Sequence, residues 1–203
     1  MVTTRQIAVY GLGGHGKVVA QIARACGYDD VIWIDDAPKE GAVTFDAFRA
    51  AYPDTPIALG IGSNVVREHV FEKLQASGRS PSTLIHPSAV IAPDVEMGKG
   101  SVVMPLAVIN AEAAIGRGVI INSSAVVEHE CRIGDFAHLS PNAALAGKVT
   151  VGARTHVGTG SSIIQGVTIG NDVVIAAGAA VIAPLPDGVM AAGVPAVIKK
   201  ELC

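Results

Sequence analysis

The stretch VVEHECRIGDFAH, residues 126–138, sets two histidines and three acidic residues in an otherwise small and aliphatic neighbourhood. His129 and Glu130 are adjacent, and His138 follows nine residues later. A neutral imidazole can take a proton from an attacking amine, and a neighbouring carboxylate can orient it and raise its basicity. The ordinary alternative is a solvated corner with surface charge. Flanking segments offer Gly, Ala, Ser and Asn where this one offers charge, so the cluster stands alone.

A second constellation lies near the start. Gly11-Leu12-Gly13-Gly14-His15-Gly16 fits G-x-G-x-x-G after an apolar run, and Asp35-Asp36 follows at the expected distance of about twenty residues. Glycines let backbone N–H groups approach a diphosphate at a helix N-terminus, while the acidic pair accepts from hydroxyl or N–H groups. Gly62, followed by Ser63 and Asn64, falls after a later strand at the same sheet edge and completes the expected pocket of Gly13, Gly14, His15, Asp35, Asp36 and Gly62. Alone, the loop suggests a dinucleotide dehydrogenase or a tight turn with no ligand. Residues 1–83 hold only three or four strand signals, half a dinucleotide fold, which suits a nucleoside diphosphate better.

The elements that must position these groups change period part-way. Residues 7–10, 31–34 and 57–59 read as strands, alternating with a helix through Val18, Val19, Ile22 and Ala23 that stops at Gly27, one over 45–52, and one capped by Ser63 or Asn64 and closed by Gly78. Strands alternating with helices predict a Rossmann-like βαβ unit over 1–83. From Ile85 to Ala180 the chain divides into sixteen uninterrupted hexads. The first position is always Ile, Val, Leu or Met, and the fifth always Ala, Val, Ser, Thr or Cys. Such self-similarity outranks local propensity and predicts a parallel β-helix over 84–203, with three hexads per triangular coil and a C-terminal cap after Pro184 and Pro186. Residues 18 apart then stack at roughly the 4.8 Å strand spacing. His129 and Glu130 fall at a corner and project outward, whereas Cys131 is inward. His138 lies half a coil away, so the two histidines cooperate only across a subunit boundary, which a trimer would supply. His156 stacks on His138 and reads as structural, and His86 as a surface residue at the boundary.

Composition narrows the class. Half the residues are hydrophobic but only 4% are aromatic, as tightly stacked aliphatic β-structure requires. A net charge of −3 gives no footprint for nucleic acid. No run of about 18 apolar residues free of charge, Gly and Pro predicts a membrane span. The opening MVTTRQIAVYG lacks the pattern of a signal peptide. Cys26, Cys131 and Cys203 read as free thiols in a reducing compartment, so a cytoplasmic location is expected.

The hexads, the GVPA tail from Gly193 to Ala196, the YGLGGHGKVV start, Asp35-Asp36, MPLAVINA and VEHEC together resemble the left-handed β-helix sugar N-acetyltransferases of bacterial glycan pathways over nearly the whole chain. The resemblance implies an acyltransferase moving acetyl from acetyl-CoA, without a metal, to the C4 amine of a nucleotide-linked 4-amino-4,6-dideoxy sugar. UDP-, GDP-perosamine- and sialic-acid-type acceptors all occur among such enzymes, the last by O-acetylation. It implies His129 as general base, Glu130 as the neighbour that raises its basicity, and His138 at the thioester end of acetyl-CoA. Gly147, Thr159 and Ala177 would line the CoA groove between adjacent prisms of a homotrimer, and the glycine-loop pocket would hold the nucleotide sugar.

Overall fold

The computed structural model describes residues 5–202; the first four residues of the N-terminal reading, and the Cys203 thiol, lie outside them. β1 (Gln6–Tyr10) runs between β2 (Asp30–Ile34) and β3 (Ile57–Leu59) in a parallel three-stranded sheet of order β2-β1-β3. The connections carry α1 (Gly14–Ala25) and α2 (Phe45–Ala51), and α3 (Asn64–Ala76) follows β3. β1 and β3 are buried almost throughout because helices cover both faces of the sheet, the usual environment of parallel strands. Gly27 and Gly78 follow α1 and α3 at φ 83° and 77°, the left-handed stop expected of glycine. Ser63 occupies the N-cap of α3 without a side-chain bond to the helix. Asn64 is inside the helix, and its amide donates to the Arg154 carbonyl of the second half at 2.7 Å.

From Leu84 onward two-residue strands recur every six residues to Val181, forming three parallel sheets of a β-solenoid. Each strand pairs with the one 18 residues away, as in His138 with His156 and Val126 with Ala144. The first face holds eight strands, the second six and the third five. First and fifth hexad positions fill the prism from Val103 to Ala179 with fully buried Val, Ile, Leu, Ala and Cys131. The first coil departs from this pattern. Ile85 is 41% exposed and Ala89, Ile91, Val95 and Met97 are only partly buried, because no coil stacks beneath them. At the other end Val189–Ala192 extends the first face, and Val197–Glu201 closes it antiparallel, its charged Lys199, Lys200 and Glu201 blunting the free edge.

Every fourth hexad position from Gly100 to Gly178 has positive φ, and nine of these residues are not glycine, Glu130 at 59° among them. A left-handed residue costs about 1 kcal/mol or more in isolation. The solenoid tolerates it because the flanking ladder hydrogen bonds fix the turn.

The two halves pack directly. Leu84, Val102, Met104 and Ile120 of the first face join Ile7, Val19, Ile22 and Ala23 in one core cluster. Phe136 joins Phe71 and Leu74 in another. The βαβ unit therefore sits on the first face. No helix among the described residues is long and apolar enough to cross a membrane.

Candidate active site

His129 and Glu130 stand on the corner between the strands Val126–Val127 and Arg132–Ile133, that is, between the second and third faces. The imidazole Nδ1 lies 2.9 Å from Glu130 Oε2, and both side chains are exposed. The carboxylate can only accept, so Nδ1 carries the proton and Nε2 keeps a free lone pair. The hydrogen bond from His129, reinforced by Lys148 at 3.4 Å, holds the Glu130 carboxyl below its usual range. Gly147 stacks one coil above His129. A Cβ there would meet the ring at 2.5 Å from Nε2 and 2.6 Å from Cε1. Glycine at this position leaves the space that the imidazole occupies. Cys131 is buried, as its inward register demands.

The glycine loop forms the second part. Gly11 has φ 111°, and a Cβ on Gly11, Gly16 or Gly60 would collide with backbone where β1, α1 and the end of β3 converge. Gly13 and Gly14 differ: nothing lies within 4 Å of a Cβ at either. Packing does not require glycine there, whereas an open approach to the N-terminus of α1 does. Gly13 is its N-cap and supplies no side-chain bond, so the first amides remain available. Gly13, Gly14, His15, Asp35, Asp36 and Gly62 line one cavity of about 520 Å³ together with Lys39 and His69.

The acidic pair is more committed than its sequence suggests. Asp35 accepts from the Leu12 and Ala37 amides and from Lys39 Nζ at 2.6 Å. Burial pushes its carboxyl up, but these donors outweigh burial and hold it below the usual range. Asp36 accepts from Lys73 Nζ at 2.6 Å, from the Phe45 amide and from the Tyr10 hydroxyl. Burial, then that bond to Asp36, drives the Tyr10 phenol far up. Asp36 thus braces the sheet edge, and only part of its carboxylate faces the cavity.

His138 belongs to the first face, under the βαβ unit, and is 9% exposed. Its ring lies 6.2 Å from that of His15 and 4.8 Å edge-on from His156. Asn122 Nδ2 meets Nε2 at 3.0 Å while Asn122 Oδ1 accepts the Ser123 amide, so the proton of neutral His138 is on Nδ1. That nitrogen and His15 Nε2 are buried without a partner among the described residues; the Gly62 backbone is near His138 but outside hydrogen-bond geometry. Burial, then the unfavourable coupling of a His138 charge to His156, to the Arg67 cation and to His15, lowers the His138 pKa to about 3. Burial and then Arg67 lower that of His15 to about 4. His156, bonded to Ser140 Oγ at 3.1 Å, completes a polar column on this face. His86 is half-buried and bonded to Ser88 near the start of the solenoid.

The expected residues therefore fall into three groups within one chain. His129, Glu130 and Gly147 share one corner. His138 and the loop residues meet at the first face, which that corner faces away from. Thr159 and Ala177 lie on the corner between the first and second faces, after His156–Val157 and Val174–Ile175. Sequence reasoning overlooked Asn122 and Ser140, although their shared second hexad position beside His138 marks them. It also overlooked Arg67, which carries no sequence signal because all but one of its partners, Asn64 Oδ1, are backbone carbonyls.

A family model, the PglD N-terminal domain, matches residues 6–74. A histidine-to-asparagine variant of perosamine N-acetyltransferase from Caulobacter crescentus, solved with CoA and GDP-perosamine, superposes at TM-score 0.92 with 40% identity over 97% of both chains. The chain belongs to the hexapeptide-repeat sugar N-acetyltransferase family. The acetyltransferase domain of PglB from Neisseria gonorrhoeae FA1090, solved with acetyl coenzyme A, matches at TM-score 0.89 and 37% identity over 96% of this chain and 99% of that one. UDP-N-acetylbacillosamine N-acetyltransferase of Bacillus subtilis (strain 168) is 40% identical over 115 residues, 49% of this chain. The match spans 51% of that relative, about half its length.

Proposed function

We propose that this protein transfers acetyl from acetyl-CoA to the C4 amine of a nucleotide-linked 4-amino-4,6-dideoxy sugar. His129 is the general base. With Nδ1–H held by Glu130, Nε2 accepts the proton as the amine attacks the thioester carbon, and coenzyme A leaves as the thiolate. The step needs neither a metal nor a covalent acyl-enzyme. The single observation that carries this reading is the free Nε2 of His129, oriented by Glu130 at 2.9 Å on an exposed corner.

The cavity at the glycine loop is the proposed nucleotide-sugar pocket, with Gly13 and Gly14 opening the α1 N-terminus to the diphosphate. UDP is the nucleotide we assign, with GDP as the alternative, since the relatives named above act on UDP- and GDP-linked sugars. Sialic acid O-acetylation finds less support, because a free sugar needs no diphosphate cradle. His138, Gly147, Thr159 and Ala177 are assigned to the acetyl-CoA side.

The active unit in this proposal is a homotrimer with sites between subunits. The second face separates the His129 corner from the Thr159 and Ala177 corner, and no element among the described residues covers it. Its outward residues are Val90, Val108, Val126, Ala144, Ser162 and Ala180, with Val90 64% exposed, whereas the third face presents Glu96, Ala114, Arg132, Thr150 and Thr168. An uncovered apolar face between two half-sites supports packing against a second copy. A cytoplasmic location, where both cosubstrates are available, belongs to the same proposal.

A thiol-release assay against UDP-, GDP- and dTDP-linked 4-amino sugars tests the reading. Release of coenzyme A with a UDP- or GDP-linked sugar is expected. No release with any of the three contradicts it.

A further inference from the structure

Arg67, on the first turns of α3, is 1% exposed. No ion pair to it occurs among the described residues. Its guanidinium instead donates to Gly118 O at 2.6 Å through Nε, and to Ile61 O and Gly62 O at 3.1 Å each through one terminal nitrogen. The other terminal nitrogen donates to Asn64 Oδ1 at 2.8 Å, Phe136 O at 2.7 Å and Ala137 O at 3.4 Å. A buried cation without a counter-charge is costly, and a planar five-donor fork is the side chain able to bind so many carbonyls in fixed directions. The acceptors are the informative part. Ile61 and Gly62 belong to the rim of the loop cavity, whereas Phe136 and Ala137 immediately precede His138 on the solenoid. One side chain ties the two together.

We propose that Arg67 is a positioning residue that locks the Gly62 rim of the nucleotide-sugar pocket in register with the strand carrying His138. The proposal rests on the acetyl-transfer reading for its kinetic consequence but not for its structural one. Arg67 also supports the neutral state of the histidines around it, since its charge opposes protonation of His15, His138 and His156. Burial lowers its own pKa to about 9, which leaves it charged at neutral pH.

The test uses Arg67→Lys, which keeps a cation but cannot span both sets of carbonyls. In the folded variant the KM for the nucleotide sugar should rise about ten- to a hundredfold, as expected for a misplaced binding edge. Hydrogen exchange of the unliganded protein should quicken at Gly62 and His138 together. A lower melting temperature with unchanged KM values and unchanged exchange would overturn the proposal. If the wild-type protein acetylates no amino sugar, the acetyl-transfer reading fails, and the exchange result alone decides the role of Arg67. Should Arg67→Lys not fold, Asn64→Ala and Asn64→Asp are read by the same exchange comparison: both lose the amide bond to the Arg154 carbonyl, and only Asn64→Ala also loses the acceptor for Arg67. Faster exchange at both sites in Asn64→Ala than in Asn64→Asp supports the lock, and equal exchange in the two refutes it.

Discussion

A Cβ on Gly147 would lie 2.5 Å from Nε2 of His129, one coil below it. The glycine is not at positive φ, so its backbone suits alanine. The missing Cβ leaves the space that the imidazole occupies.

Gly147→Ala should therefore separate stability from activity. The His129 ring is the exposed end of a flexible side chain and can swing aside, so the melting temperature should stay close to that of the parent. Turnover should fall about ten- to a hundredfold as the base leaves its position. Parallel thermal denaturation and thiol-release measurements check this, and unchanged turnover would count against the placement of the base.

Glu130→Gln keeps an acceptor near Nδ1 but removes the negative charge that stabilises the imidazolium. The carboxyl of Glu130 is held below its usual range by His129 and then Lys148, so it is charged across the neutral range. Turnover should drop by about tenfold or more, less than the hundred- to ten-thousandfold expected for His129→Ala. A Glu130→Gln enzyme as impaired as His129→Ala would assign the carboxylate a larger role than orientation.

Acid should destabilise the fold through the buried histidines. In the folded chain His138 stays neutral down to about pH 3 and His15 down to about pH 4. In the unfolded chain each takes up a proton near 6.5. The unfolded state binds more protons in that window, so their contribution is fully present above about pH 6.5 and is lost as pH falls toward 4. Each histidine can account for up to about 1.4 kcal/mol per pH unit there. Urea denaturation at pH 7 and pH 5 should show a smaller loss in His138→Gln than in the parent; equal losses would contradict the buried neutral state.

The uncovered second face gives a prediction about assembly. Val108→Asp places a charge on its apolar stripe, one coil away from His129. The variant should remain folded, sediment as a monomer and lose turnover. A fully active monomer would refute the shared site.

Much of this was legible in the sequence, for reasons that differ by element. The hexads announced the prism because first and fifth positions must be aliphatic and small to fit inside it, and Val103 to Ala179 obey. The left-handed fourth positions were invisible, since Leu106, Phe136, Lys148 and Arg154 adopt positive φ only because the coil imposes it. His129 and Glu130 could be placed on a corner by counting. The meeting of His138 with His15 could not, because it depends on how the βαβ unit docks on the first face. The double commitment of Asp36 to Tyr10 and Lys73 was hidden for the same reason, as partners 26 and 37 residues away come together only in the tertiary fold.

The central claim is that acetyl transfer occurs in a site assembled from two copies of the chain. It is tested most directly by mixing two inactive variants, His129→Ala and Gly14→Phe, the second closing the loop cavity. Co-refolded in equal amounts, they should regain roughly one quarter of parental turnover, because one interface in four then joins an intact base to an intact pocket. Recovery of no activity from the mixed trimers would contradict the account.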